Sequence, residues 1–174
     1  RHLEILAGAV MDNCDAEDGL EDGLITDPRD CAFDPELHLP VCENGGEDCF
    51  TPAQVAAIKR IADGVIVNGE RVFPGVPWSV EGIDSDGVSG WSPWIVAGEG
   101  LSRQLAYGET FLQNMAMLPA SGRDIDWRTF DFDASYDDIG MIRAILDATD
   151  PDLSAFADRG GRIIGYFGWA DPAL

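Results

Sequence analysis

The stretch from Cys14 to Cys31 constrains this chain more than any other. Six acidic side chains (Asp15, Glu17, Asp18, Glu21, Asp22 and Asp27) precede the first base, Arg29. Gly19 and Gly23 punctuate the run, and a cysteine stands at each end. Crowded carboxylates repel one another, and a compact loop that gathers them needs a counter-charge. No lysine or arginine lies among these six acids to supply one. A hard cation would, and calcium takes six to eight oxygen ligands from a flexible loop. The glycines permit turns that aim backbone carbonyls inward. This reading predicts one calcium ion held by the carboxylates of Asp15, Asp18 and Asp22 and the carbonyls of Leu20 and Leu24. The competing reading is a solvated acidic turn, which most Asp/Gly clusters are.

The spacing is not that of an EF-hand. With Gly19 at the sixth loop position the first ligand would be Cys14. With Gly23 there, the twelfth would be Arg29, where a glutamate belongs.

A net charge of −21 argues against nucleic-acid binding, which needs lysine and arginine for phosphate contacts. It argues equally against an anionic membrane surface. No apolar run approaches the roughly 20 residues of a membrane span. At 174 residues the chain is long enough for a real core. It opens abruptly on Arg1-His2-Leu3, and the expectation is an internal piece of a longer protein.

The four cysteines (Cys14, Cys31, Cys42 and Cys49) allow three pairings. Zinc competes with disulfides for them, but no C-x-x-C pair is present and hard carboxylates dominate the neighbourhood. Paired cysteines imply an oxidising compartment, the periplasm or outside the cell.

Several elements are legible in order. Residues 3–11 read as a helix. Residues 32–50 read as irregular, stapled chain. Thr51-Pro52-Ala53-Gln54 is a helix start with a capping box, and Gly64 is its stop. Val65–Phe73 is a hairpin turning at Asn68-Gly69. Residues 74–100 show little periodicity but hold Trp78, Trp91 and Trp94. Aromatics on irregular backbone can line a site for a flat substrate, and they can equally pack beneath a long loop. Residues 102–117 read as a helix. Residues 127–132 alternate as a strand would, and Tyr136–Ala148 carries an apolar helical stripe. A short helix over 152–158 follows, then a buried strand over Arg162–Phe167. Asp171 lies in the turn beyond the carboxyl end of that strand, where open α/β sheets place catalytic groups. A plain Asp-Pro turn is the alternative.

The run from Cys14-Asp15-Ala16 through Asp18-Gly19, Asp22-Gly23, Asp27-Pro28 and Cys31, then Cys42, then Cys49-Phe50-Thr51-Pro52-Ala53-Gln54-Val55, resembles the lid domain of the tannase/feruloyl esterase family. A second stretch, Gly160-Gly161-Arg162 through Gly168-Trp169-Ala170-Asp171-Pro172, resembles the strand and turn that deliver its triad acid. The resemblance implies an α/β-hydrolase, of which this chain supplies mainly the inserted α+β lid. It implies the pairing Cys14–Cys31 and Cys42–Cys49. It places a structural calcium on Asp15, Asp18, Leu20, Asp22 and Leu24, the triad acid at Asp171, and substrate contact at Trp91 and Trp94. The expected layout is a core helix end over 1–11, the lid over 12–125 and a return to the core over 126–174. One departure is Phe167, where the family often has histidine.

No G-x-S-x-G elbow occurs in this sequence. In this fold the triad runs serine, acid, histidine, so the serine is expected before Arg1 and the histidine after Leu174. His2 and His38 read as bystanders. The implied activity is serine-type hydrolysis of aromatic-acid esters, feruloyl or galloyl, by the whole protein. Its implied partners are the ester substrate and the remainder of the hydrolase. The rival function is a non-catalytic, calcium-stabilised extracellular binding module.

Overall fold

The computed structural model describes residues 1–79, 81–82, 90–117 and 124–171. The chain divides into two units: Arg1–Tyr107 with Trp169–Leu174, and Gly108–Gly168.

The first unit begins with α1, His2–Cys14. Leu6, Val10 and Cys14 recur every fourth residue and are buried, so one stripe of the helix faces the core. The helix runs past the expected end at residue 11, which puts Cys14 on its last turn. A 3₁₀ turn over Asp15–Asp18 follows and ends at Gly19, whose φ of +93° favours glycine. The short helix α2, Pro35–His38, is capped by Asp34, whose carboxylate accepts the N–H of Glu36.

Helix α3, Pro52–Asp63, starts where the sequence predicts. Thr51 N–H donates to Gln54 Oε1 at 2.8 Å, and Gln54 N–H donates to Thr51 Oγ1 at 3.2 Å. That reciprocal pair is the capping box. Gly64 ends the helix with φ +83°, and a Cβ there would lie 2.4 Å from the carbonyl oxygen of Phe73. Both constraints exclude a side chain. The hairpin follows: β1, Val65–Val67, pairs antiparallel with β2, Glu70–Phe73. Asn68 and Gly69 both have positive φ, as a tight two-residue hairpin turn requires.

Two disulfides close this unit, Cys14–Cys31 and Cys42–Cys49, with Cα atoms 5.2 and 5.9 Å apart. The pairing agrees with the expectation, and no cysteine is left to ligate zinc. In the core, Phe33 meets the edge of Trp78 with ring centroids 5.0 Å apart, and Trp78 stacks on Trp91 at 6.2 Å. Leu6, Val10, Phe50 and Val55 join the same cluster. Trp91–Trp94 forms α4, a single turn interrupted at Ser92 and Pro93. Helix α5, Arg103–Phe111, then leads out of the unit.

In the second unit α5 passes into a π-helical turn over Leu112–Ala116, which buries Leu112 and Ala116. Three short helices follow: α6, Phe132–Ser135; α7, Gly140–Leu146; and α8, Ser154–Asp158. The expected strand over 127–132 does not form. Asp126 captures that backbone: its carboxylate accepts the N–H of Arg128 at 3.0 Å, and its carbonyl accepts the N–H of Thr129 at 3.0 Å. An aspartate that bonds its neighbours' N–H groups diverts them from a ladder. The helix expected from Tyr136 starts only at Gly140, because Asp138 and Gly140 first make tight turns onto Ser135 and Asp137.

The expected buried strand over Arg162–Phe167 is also not formed. Ile164 and Tyr166 are 92% and 95% exposed. A strand exists only by pairing with another, and the hairpin is the only sheet among the described residues. Among the described residues the chain is helix-rich with one two-stranded sheet.

Candidate functional site

The acidic loop is organised by its own carboxylates. Asp15 Oδ1 accepts the N–H groups of Asp22 at 3.2 Å and Gly23 at 2.9 Å, and Oδ2 lies 3.1 Å from the Gly23 nitrogen. Asp18 Oδ1 accepts from Leu20 N–H at 2.9 Å, and Oδ2 accepts from Thr26 Oγ1 at 2.5 Å. Asp22 Oδ1 accepts from Leu24 N–H at 3.2 Å. The Thr26 hydroxyl, then the Leu20 N–H, hold the Asp18 carboxyl below its ordinary range. All five residues expected to ligate calcium thus lie in one bonded turn. Leu20 and Leu24 enter it through their N–H groups.

Arg29 does not neutralise that turn. Its guanidinium forks onto Asp27, with Nε 2.8 Å from Oδ1 and Nη2 on Oδ2. The side-chain bond from Arg29, then its backbone N–H, draw the Asp27 carboxyl down to about 2. Among the described residues no lysine or arginine pairs with Asp15, Asp18 or Asp22. Their oxygens are the hard donors calcium prefers. Among the described residues no three His, Cys, Asp or Glu side chains converge as a metal-holding group. The donor chemistry fits calcium; the arrangement is a hydrogen-bonded turn, not a closed cage.

The turn that ends at Asp171 belongs to the same unit. The Trp169 carbonyl accepts from Ser79 Oγ at 3.0 Å. The Arg29 guanidinium lies over the Trp169 ring, 5.4 Å from its centroid. Asp171 itself is partly buried.

Both histidines serve the local fold. His2 Nε2 lies 2.9 Å from the Gly46 carbonyl and 3.1 Å from that of Cys49, and its ring packs on Phe50. His38 Nδ1 accepts the Asp34 N–H at 3.0 Å.

The two tryptophans expected at the substrate part company. Trp91 is 1% exposed and stacked in the core. Trp94 is half-buried and stacks on Tyr107 with centroids 6.3 Å apart, while the Arg103 guanidinium lies 4.9 Å from its ring. Sequence reasoning missed Arg103 and Tyr107. Their spacing of four on α5 was the available signal, since it puts both on one helix face.

The family model for tannase and feruloyl esterase matches residues 1–174. This chain belongs to the tannase and feruloyl esterase family. An uncharacterised esterase of Xanthomonas campestris is 31% identical over 184 residues, covering 99% of this chain and 31% of its own. The mono(2-hydroxyethyl) terephthalate hydrolase of Piscinibacter sakaiensis is 28% identical, covering 99% and 34%. Feruloyl esterase B of Aspergillus niger is 26% identical, covering 95% and 29%. The crystal structure of feruloyl esterase B from Aspergillus oryzae superposes with a TM-score of 0.71 at 20% identity, over 92% of this chain and 30% of that one. That likeness shows a shared fold. The chain spans about a third of the length of the relatives it matches. The named relatives are ester hydrolases. No helix among the described residues is long and apolar enough to cross a membrane.

Proposed function

We propose that this chain is the lid and triad-acid portion of a secreted serine-type carboxylic ester hydrolase acting on aromatic-acid esters. The observation that carries the reading is the family match over every residue, including the turn at Asp171. Relatives named for terephthalate and feruloyl esters support the substrate class.

In the complete protein a serine from outside this chain attacks the ester carbonyl. A histidine, also from outside, takes its proton and returns it to the leaving alcohol, and water activated by the same histidine then cleaves the acyl-serine to release the acid. Asp171 orients that histidine and stabilises its imidazolium form. The exposed segment Arg162–Phe167 becomes a strand of the complete sheet, which would pair its backbone and cover Ile164 and Tyr166. Residues 12–125 form the lid. Within it half-buried Trp94, with the exposed ring of Tyr107 stacked on it and Arg103 over its ring, offers an aromatic face, while Trp91 packs in the core.

Calcium is part of this reading. Bound by the carboxylates of Asp15, Asp18 and Asp22 and the carbonyls of Leu20 and Leu24, it would offset the loop's uncompensated charge and stiffen the base of the lid. The two disulfides support an oxidising location, extracellular or periplasmic.

The test is substrate preference. The complete protein is expected to hydrolyse methyl ferulate or methyl gallate, and an aliphatic methyl ester far more slowly. This chain by itself is expected to hydrolyse neither. Faster turnover of the aliphatic ester would remove the aromatic-acid assignment.

A further inference from the structure

The geometry points to Arg29 as a positioning residue for Asp171, acting through Trp169; this rests on the reading of Asp171 as the triad acid. Trp169 lies two residues before Asp171 and is held from two distant places. Ser79, ninety residues earlier, donates its hydroxyl to the Trp169 carbonyl at 3.0 Å. Arg29 lies over the indole at 5.4 Å, within the range of a cation–π contact. One tether holds the backbone and the other the ring.

Both tethers are themselves fixed. Arg29 is locked by its two-pronged contact with Asp27 and stands two residues before Cys31, which is bonded to the last residue of α1. The Ser79 N–H donates to Glu81 Oε1 at 3.0 Å, and Glu81 is fully buried. Trp169 is 41% exposed, so burial alone does not immobilise it. A triad acid must keep the imidazole in reach, and a misplacement of about 1 Å costs about a hundredfold in rate. A planar guanidinium suits both jobs at position 29: it forks onto a carboxylate and lies flat on an indole. An ammonium can sit over the ring but cannot fork onto the carboxylate, so it is held less firmly there.

The experiment is a double-mutant cycle in the complete enzyme, with methyl ferulate as the probe. Arg29→Gln is expected to lower kcat about tenfold with KM within about twofold, the pattern of a displaced acid in an intact substrate site. Trp169→Ala should cost about the same, and the double variant no more than either alone, because both remove one tether. Arg29→Lys should fall between parent and Arg29→Gln, and it keeps the test alive if Arg29→Gln does not fold. Single variants within twofold of the parent, or losses that multiply in the double variant, would overturn the assignment.

Asp171→Asn is run alongside. If that variant stays fully active, the triad-acid reading fails whatever Arg29 does. Amide hydrogen exchange of residues 165–171 in the complete enzyme, where the segment is paired in the sheet, reads the tether without activity. Faster exchange in Arg29→Gln supports it, and unchanged exchange refutes it.

Discussion

Asp15 Oδ1 accepts the backbone N–H of Gly23 at 2.9 Å, eight residues further along the chain. That one bond folds the acidic run back on itself and brings its carboxylates into a single turn. The cost is electrostatic, since no base among the described residues pairs with Asp15, Asp18 or Asp22. Calcium should therefore raise the melting temperature, and a chelator should lower it. At calcium about a hundredfold above its dissociation constant the gain is about 2.7 kcal/mol. Asp15→Asn, Asp18→Asn or Asp22→Asn should abolish most of the shift. Superimposable melting curves with and without calcium would leave the turn as a plain acidic loop.

The Cys14–Cys31 bridge spans 17 residues and ties the end of α1 to the end of that loop. Replacing both cysteines with serine should cost about 3 kcal/mol, as expected for closing a loop of this size. Urea unfolding under oxidising conditions measures it. An unchanged midpoint would mean the loop is held without the bridge.

Helix α3 depends on its cap. Thr51→Ala removes the acceptor for the Gln54 N–H and should cost about 1 kcal/mol. Thr51→Ser keeps an oxygen in the same place and should recover most of it. Thermal unfolding of the three proteins compares them directly.

Elements built by near neighbours were legible in the sequence; those built by distant ones were not. The Thr51/Gln54 cap and the Asn68-Gly69 turn are set within four residues, and both stand as expected. The strands read at 127–132 and 162–167 needed a neighbouring strand that pattern alone cannot supply. At 127–132 a local competitor, the Asp126 carboxylate, decided the backbone instead. The same limit runs through the candidate site. The residues of the acidic loop could be named from charge and glycine spacing. Their donation pattern could not, because it depends on how the turn closes. Trp91 and Trp94 lie three residues apart, yet one is core and the other only half-buried. The contact from Arg29 to Trp169 joins positions with no shared period and no common element, so nothing local announces it.

Asp27 gives a pH dependence with a definite sign. Its carboxyl is drawn down to about 2 by Arg29, against about 3.9 in an unfolded chain. A depressed native pKa adds stability that is present above the unfolded value and is lost as pH falls through the native one. Asp18 is shifted the same way by Thr26. The urea midpoint should therefore fall between about pH 4 and pH 2. Asp27→Asn should flatten that fall, and added salt should reduce it for the parent, because the Arg29 pair is exposed. Identical slopes for parent and variant would contradict the pairing.

The most direct measurement is steady-state hydrolysis of methyl ferulate by the complete protein, with and without Asp171→Asn. An amide at that position can hold the histidine in the wrong tautomer while leaving the binding surface intact. The expected result is a fall in kcat of about ten-thousandfold with KM nearly unchanged. Turnover of Asp171→Asn at the parent's rate would show that another residue orients the histidine.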